Sequence, residues 1–388
     1  MLHIGADQRR ARLGVRHRLA APAPGPAEVA RSLVALHATD PATVYLSVAA
    51  RTRGLTPGDV SAALYDDRTL LRMLAMRRTM FVVPVEDVPM FQAASADALV
   101  AKQRRTYSGL LAKAGIPDAE AFFDAAADAA HAALVARGSA TGAQLSAEVP
   151  ALRTMVDPAP GKSYSRPASI TTWVLVTLGV EGRAVRGRPN GSWASSQYVW
   201  APVEEWIPGG IPDMSVEDAR AALVRRWLER FGPAPLADLA WWTGWSQRDV
   251  KAALTRVDTV PVDLDGTPGL VLADDTDPVP EPEPWAALLP ALDPTPMGWK
   301  SRDWYLGPHA PSLFDRNGNI GPTLWWNGRV VGGWAQRRDG EIALHLLEDP
   351  GPEARTALET AAHTTTTWYG PTRTIPRFRT PLERTLTT

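Results

Sequence analysis

The sequence predicts an α+β chain: tandem winged-helix units, each a helix-turn-helix with a β-hairpin wing, followed by a small C-terminal β-barrel-like domain. Three observations predict it. Two short helical segments followed by a hairpin signal occur twice between residues 140 and 272, the order helix, turn, recognition helix, wing. A less regular version occupies the first hundred or so residues. Beyond an acidic stretch at 274–283 the pattern changes to short strands separated by Asn-Gly and Asp-Gly turns.

The first unit spans residues 1–115. Segments 8–19 and 28–36 read as helices, 61–65 and 70–73 as the next two, and 78–83 as a strand. The second spans 116–205. Segment 140–145 opens one helix, 169–178 forms another behind Pro167, and 183–200 reads as a hairpin turning at Pro189-Asn190-Gly191. The third spans 206–275. Segment 216–231 carries Leu223, Trp227 and Leu228 at helical spacing and stops at Pro233-Ala234-Pro235. Segment 236–242 follows, Thr243-Gly244 turns the chain, and Ser246 caps a helix running to about 257. Segment 260–272, broken at Asp265-Gly266, closes the unit as a hairpin. Residues 285–388 form the β domain, with strands at 285–292, 323–326, 329–334 and 342–347 and a late helix at 352–362.

Composition bounds the chemistry. The 388 residues include no cysteine, which excludes disulfides, thiolate zinc sites and a cysteine nucleophile. The seven histidines show no metal-ligand spacing, and no nucleotide-binding glycine motif follows a strand, so neither metal nor cofactor is expected. No apolar run approaches the roughly 20 residues that span a bilayer, and the N-terminus lacks a signal pattern, so a soluble cytoplasmic protein without membrane partners is expected. Net charge is −1, yet residues 1–110 hold 15 Lys/Arg against 9 Asp/Glu, while Asp274, Asp275, Asp277, Glu281 and Glu283 form an acidic stretch. Such asymmetry fits one face made for phosphates, with ordinary surface variation as the simpler explanation. Arg183, Arg186 and Arg188 line the middle hairpin, the last two with one strand-face parity. They suit phosphate contact or a solvated edge equally. Most of the 15 tryptophans read as core. Trp193 and Trp325-Trp326 stand out as possible stacking surfaces.

Several ordered segments carry a family resemblance. They are Met76-Arg77-Arg78-Thr79-Met80-Phe81, Trp241-Trp242-Thr243-Gly244, Leu288-Leu289-Pro290-Ala291-Leu292-Asp293-Pro294, Arg302-Asp303, Pro322-Thr323, and Asn327-Gly328 through Trp334. The chain resembles the AlkZ/YcaQ-like winged-helix DNA glycosylase family over nearly its whole length, residues 10–384. The resemblance implies three winged helices in a C-shape around double-stranded DNA, a C-terminal β domain, and excision of alkylated or bulky-adduct purines. It adds Arg77 and Arg78 to the candidate DNA-binding residues. Three binding units in one chain, with no heptad pattern, predict a monomer.

The family's catalytic segment, Gln-x-Gln or Gln-x-Asp, corresponds here to Leu36-His37-Ala38-Thr39-Asp40-Pro41. His37 takes the first glutamine position and Thr39 the second. Cleaving an N-glycosidic bond passes through an oxocarbenium-like sugar, and a cationic alkylpurine leaves without a general acid. The remaining need is a positioned water. In an extended segment His37 and Thr39 point the same way and can hold one, His37 with its ordinary pKa near ~6.5 accepting the proton. Asp40 can orient His37 or stabilise the sugar cation. The alternative is structural: Asp-Pro caps and turns chains, and His37 is then a buried, hydrogen-bonded side chain. Two further functions stay open. One is a non-catalytic winged-helix DNA binder, recognising damage or regulating a gene; the other is a scaffold whose β domain binds a partner protein.

Overall fold

Most of the short helices start on a proline or a capping hydroxyl. Proline occupies the first turn of helices Pro26–Ser32, Pro41–Ala49, Pro57–Tyr65 and Pro352–Tyr369, where its missing N–H costs nothing. Thr141, Ser215 and Ser246 cap helices Gly142–Glu148, Val216–Phe231 and Gln247–Leu254 through their side-chain oxygens. These elements come from a computed structural model, which describes residues 2–159, 161–162 and 165–388.

Near the N-terminus, helices Ala6–Arg16 and Pro26–Ser32 precede a three-stranded antiparallel sheet ordered Leu36–His37, Met80–Pro84, Leu70–Leu74. Two expectations are corrected here. The helix read over 28–36 ends at Ser32, because Val34 adopts a left-handed backbone (φ 65°) that releases Leu36–His37 into the sheet. The segment read as a helix at 70–73 is a strand. Leu70, Leu71, Arg72 and Met73 are all buried, so both faces of the strand are covered and no alternation marks it as β.

The alanine-rich stretch that follows forms two long helices, Asp97–Lys113 and Ala119–Arg137, which are absent from the predicted elements. The first buries only Gln103 and Leu111, and the second buries Ala119, Ala126, Ala127 and Ala130 beside Phe123 and Leu134, which leaves a faint hydrophobic pattern. Helices Gly142–Glu148 and Thr171–Val180 then lead to the hairpin Ala184–Pro189/Tyr198–Pro202, in the predicted order. Its tip differs from the expected tight turn. Asn190 N bonds Gln197 O at 2.7 Å, and the intervening loop carries Trp193 onto Tyr45 (ring centroids 5.0 Å) and Trp368 (5.5 Å). Trp193 is therefore a packing residue.

Helices Val216–Phe231, Leu236–Thr243 and Gln247–Leu254 precede the hairpin Thr259–Leu264/Thr267–Leu272. Its turn residues Asp265 and Gly266 both have positive φ (51° and 87°), as a two-residue hairpin turn requires. Leu2–His3 joins this hairpin as a parallel third strand. In the C-terminal region, strands Ala286–Leu289, Thr323–Trp326, Arg329–Gln336 and Ile342–Leu346 pair in chain order into one antiparallel sheet. It is an open sheet, not a closed barrel: four strands are too few to close around side chains. Helix Pro352–Tyr369, longer than predicted, packs against it through Leu358, Ala362 and Tyr369. Trp325 lies wholly inside, its indole N–H donating to Thr323 Oγ1 at 2.8 Å, so it too is core.

The N- and C-terminal regions are tied by a buried ion pair. Arg51 Nη2 lies 2.7 Å from Asp293 Oδ1, with both side chains fully covered. Arg51 also donates to the carbonyls of His17 and Ser47, and Asp293 accepts from the Ser47 hydroxyl at 2.7 Å. His17 bonds Thr295 and the Arg230 carbonyl through its two ring nitrogens. The Ala291-Leu292-Asp293-Pro294 segment thus carries a structural anchor. No helix among the described residues is long and apolar enough to cross a membrane.

Candidate functional site

His37 ends a two-residue strand and pairs with Phe81, whose ring meets it edge-on at 5.5 Å. The imidazole is buried, and Nδ1 has no hydrogen-bond partner among the described residues. Burial, with repulsion from the Arg77 guanidinium as a second cause, pushes its pKa down to about 3. His37 is therefore neutral at physiological pH. Thr39 is half-buried two residues on.

Asp40 faces elsewhere. Its Oδ1 accepts from Ala42 N at 3.1 Å, capping helix Pro41–Ala49, and its Oδ2 accepts from Arg377 N at 2.9 Å. Both oxygens serve backbone amides, and no hydrogen bond links Asp40 to His37. The turn-and-cap alternative describes Asp40; His37 is buried but lacks the hydrogen bond that the structural alternative required.

Arg72 supports the motif from beneath. Its Nη1 donates to the Ala38 carbonyl at 3.1 Å, between His37 and Thr39. Its Nε and Nη2 are buried without partners, as are the hydroxyls of Tyr65 and Tyr198, and its guanidinium lies 4.9 Å from the Tyr198 ring centroid. Arg186 approaches the same tyrosine, 5.5 Å from its centroid and 5.5 Å from that of Trp200, with no carboxylate partner. The other hairpin arginines are committed: Arg183 pairs with Asp128 at 2.9 Å, and Arg188 with Asp66 at 2.6 Å. Of the three, Arg186 alone is without an ion pair among the described residues.

Arg77 and Arg78 form the tip between strands Leu70–Leu74 and Met80–Pro84, both exposed and both left-handed (φ 56° and 57°). Successive non-glycine residues in that region store strain. Arg77 lies 4.6 Å from the Trp241 ring centroid, and Arg302 lies 4.8 Å from it. Gly244, at φ 74°, makes room: a Cβ there would sit 2.6 Å from Arg77 Cγ. Two of the matching sequence segments, Met76–Phe81 and Trp241–Gly244, thus interlock. Arg72, Tyr198, Trp241 and Arg302 were not among the predicted site residues. Arg72 was findable as a lone charge within the apolar run Leu70–Leu74. The described residues contain no group of three or more His, Asp or Glu fit to hold a metal.

Chemically, the site offers a neutral imidazole with a free ring nitrogen, a hydroxyl two residues away, and unpaired guanidinium groups around them. Such a set can orient a water and attract a polyanion. The family model for AlkZ-like DNA glycosylases matches residues 30–368. The DNA glycosylase AlkZ of Streptomyces sahachiroi superposes with a TM-score of 0.72, covering 95% of this chain and 97% of its own at 18% identity. A search of curated protein sequences finds no match.

Proposed function

The chain belongs to the AlkZ-like DNA glycosylase family, and we propose that it excises alkylated or bulky-adduct purines from double-stranded DNA by hydrolysing the N-glycosidic bond. What supports this reading is the neutral, buried His37, with an unpartnered ring nitrogen, in the segment that resembles the family's catalytic motif. In this reading residues 1–115, 116–205 and 206–275 are winged helices that clamp the duplex as a cytoplasmic monomer, and 285–388 is the β domain that braces them. His37 and Thr39 hold the attacking water. With a pKa of about 3, His37 is a weak base, so its role is to orient the water through a hydrogen bond. The proton becomes acidic as the water's oxygen bonds the sugar cation, and a weak acceptor then suffices. Asp40 contributes by fixing the motif's end. Arg77, Arg78 and Arg186 contact phosphates.

The test is incubation with duplex DNA containing N7-alkylguanine, followed by alkali to cleave abasic sites. Strand breaks at the lesion support the reading. Tight binding without breaks favours the second reading, a non-catalytic recogniser of damage, which the weak basicity of His37 supports.

A further inference from the structure

Two arginines from distant parts of the chain meet on one indole. Arg77 comes from the tip of the N-terminal sheet, Trp241 from helix Leu236–Thr243, and Arg302 from the segment entering helix Asp303–Leu306. Their guanidinium carbons lie 4.6 and 4.8 Å from the Trp241 ring centroid. Arg302 is also 4.7 Å from the Phe314 ring and donates from Nε to the Trp299 carbonyl at 2.7 Å. Neither arginine forms an ion pair among the described residues. The carboxylate nearest by its influence on Arg302, Asp238, spends Oδ1 on the amides of Lys300 and Ser301 (3.1 and 2.9 Å).

This arrangement is costly to the folded chain alone. Arg302 is half-buried, Arg77 reaches the same ring from an exposed tip, and the charge of Arg302 opposes that of Arg77. Reaching Trp241 requires Arg77 to adopt a left-handed backbone and requires glycine at 244. Stacking on an aromatic ring fixes the plane of a guanidinium while leaving its edge N–H groups free for paired bonds to an anion. Such a preorganised pair, without an ion pair among the described residues and offset only at a distance by Asp238, whose Oδ2 is buried without a hydrogen-bond partner, fits a ligand that supplies further negative charge. His37 pairs with Phe81, and Ala38 N bonds Met80 O at 2.8 Å, on the strand that leaves the Arg77 tip, which sets the anion beside the candidate catalytic motif.

We infer that Arg77 and Arg302, stacked on Trp241, grip one phosphodiester group of a DNA strand next to the nucleotide presented to His37. This rests on the DNA-binding part of the proposed function. Arg78, exposed and without an aromatic partner among the described residues, meets phosphate without that fixed plane.

The experiment scans duplex DNA with single neutral methylphosphonate linkages placed around an N7-alkylguanine, and measures affinity by fluorescence anisotropy. With the unmodified protein, one linkage near the lesion should cost about ten-fold in affinity, well beyond its neighbours. With Arg302→Gln or Arg77→Gln, that linkage should cost clearly less than ten-fold, because one of the two contacts is already gone, and with both substitutions together it should cost almost nothing further. The salt dependence of each variant should flatten by about one counterion. Arg256→Gln, which removes an exposed ion pair with Asp218, should behave like the unmodified chain. Arg302→Lys keeps the charge and loses the planar stack; it should lose the linkage preference while retaining most of the salt slope. An unmodified protein that binds the duplex with no sensitive linkage, or Arg302→Gln that binds and keeps the sensitivity, overturns the clamp and leaves DNA binding standing. Absence of duplex binding by the unmodified protein overturns the underlying reading instead.

Discussion

His37 links ionisation to stability. Folded, it takes a proton only near pH 3; unfolded, its pKa returns to near ~6.5. As pH falls, the unfolded chain is protonated first. The stability of the neutral, buried ring is complete above pH 6.5 and drains away as pH drops toward 3, at about 1.4 kcal/mol per pH unit. His17, wholly buried and also lowered by burial, adds the same sign of dependence. His37→Gln should therefore flatten the fall of melting temperature between pH 6.5 and 4, compared by thermal scans with the unmodified chain. A slope equal to that of the unmodified chain would mean that His37 is not buried in its neutral form. Base release, for its part, should show no His37 titration between pH 5 and 8, where an ordinary histidine base would give a fall near pH 6. That this residue is a candidate was legible in the sequence, from the resemblance of its segment to the family's motif. Its protonation was not, because burial and the approach of Arg77 arise only when strands far apart in sequence pair.

At the scale of elements, Asp40 separates capping from charge. Asn caps a helix as well as Asp, so Asp40→Asn should melt within about 1 kcal/mol of the unmodified chain, while Asp40→Ala should lose about 1–2 kcal/mol by uncapping helix Pro41–Ala49 and releasing the Arg377 amide. Urea titration of the two variants distinguishes these outcomes; equal losses would mean that the carboxylate's charge, not its capping geometry, holds the turn. Gly244→Ala should cost about 1 kcal/mol or more, since φ 74° and the Arg77 side chain both oppose a Cβ, and it should weaken DNA binding by displacing Arg77. The same scale shows what local sequence specifies. Asp265-Gly266 sets a turn by backbone preference alone, and the hairpin closes as read. Asn190-Gly191 carries a similar signal, yet the chain loops on to pack the half-buried Trp193 against Tyr45 and Trp368, where apolar contact outweighs turn preference. Leu70–Leu74 is buried on both faces apart from the half-buried Leu74, with Arg72 interrupting its apolar run, and only its partner strand decides that it is β.

Across the whole molecule, the first helix is tied to regions more than two hundred residues away. Arg12 and Arg16 bond Asp275 (2.9 and 2.6 Å), Arg12 also reaches the Asp277 carbonyl, and Gln8 bonds Val279. The acidic stretch is thereby partly neutralised by the basic first helix. A division into successive units, though natural in the sequence, hides these ties, because charge pairs at such separation leave no periodic signal. Arg51–Asp293 and one apolar cluster running from Leu13 through Phe81 and Trp227 to Trp325 join the N- and C-terminal regions, while Leu111 to Ala184 pack a core of their own. The joined N- and C-terminal regions are expected to unfold in one calorimetric transition. Asp293→Ala leaves Arg51 charged, buried and without its carboxylate, a change that typically costs about 3–5 kcal/mol. It should lower the whole transition by several degrees without splitting it. Arg51→Met together with Asp293→Leu removes both charges and should recover much of that loss, since two apolar groups of similar volume avoid the desolvation cost. Two resolved transitions, with only one shifted by Asp293→Ala, would show instead that the N- and C-terminal regions fold independently and that the buried pair aligns them without uniting their stability.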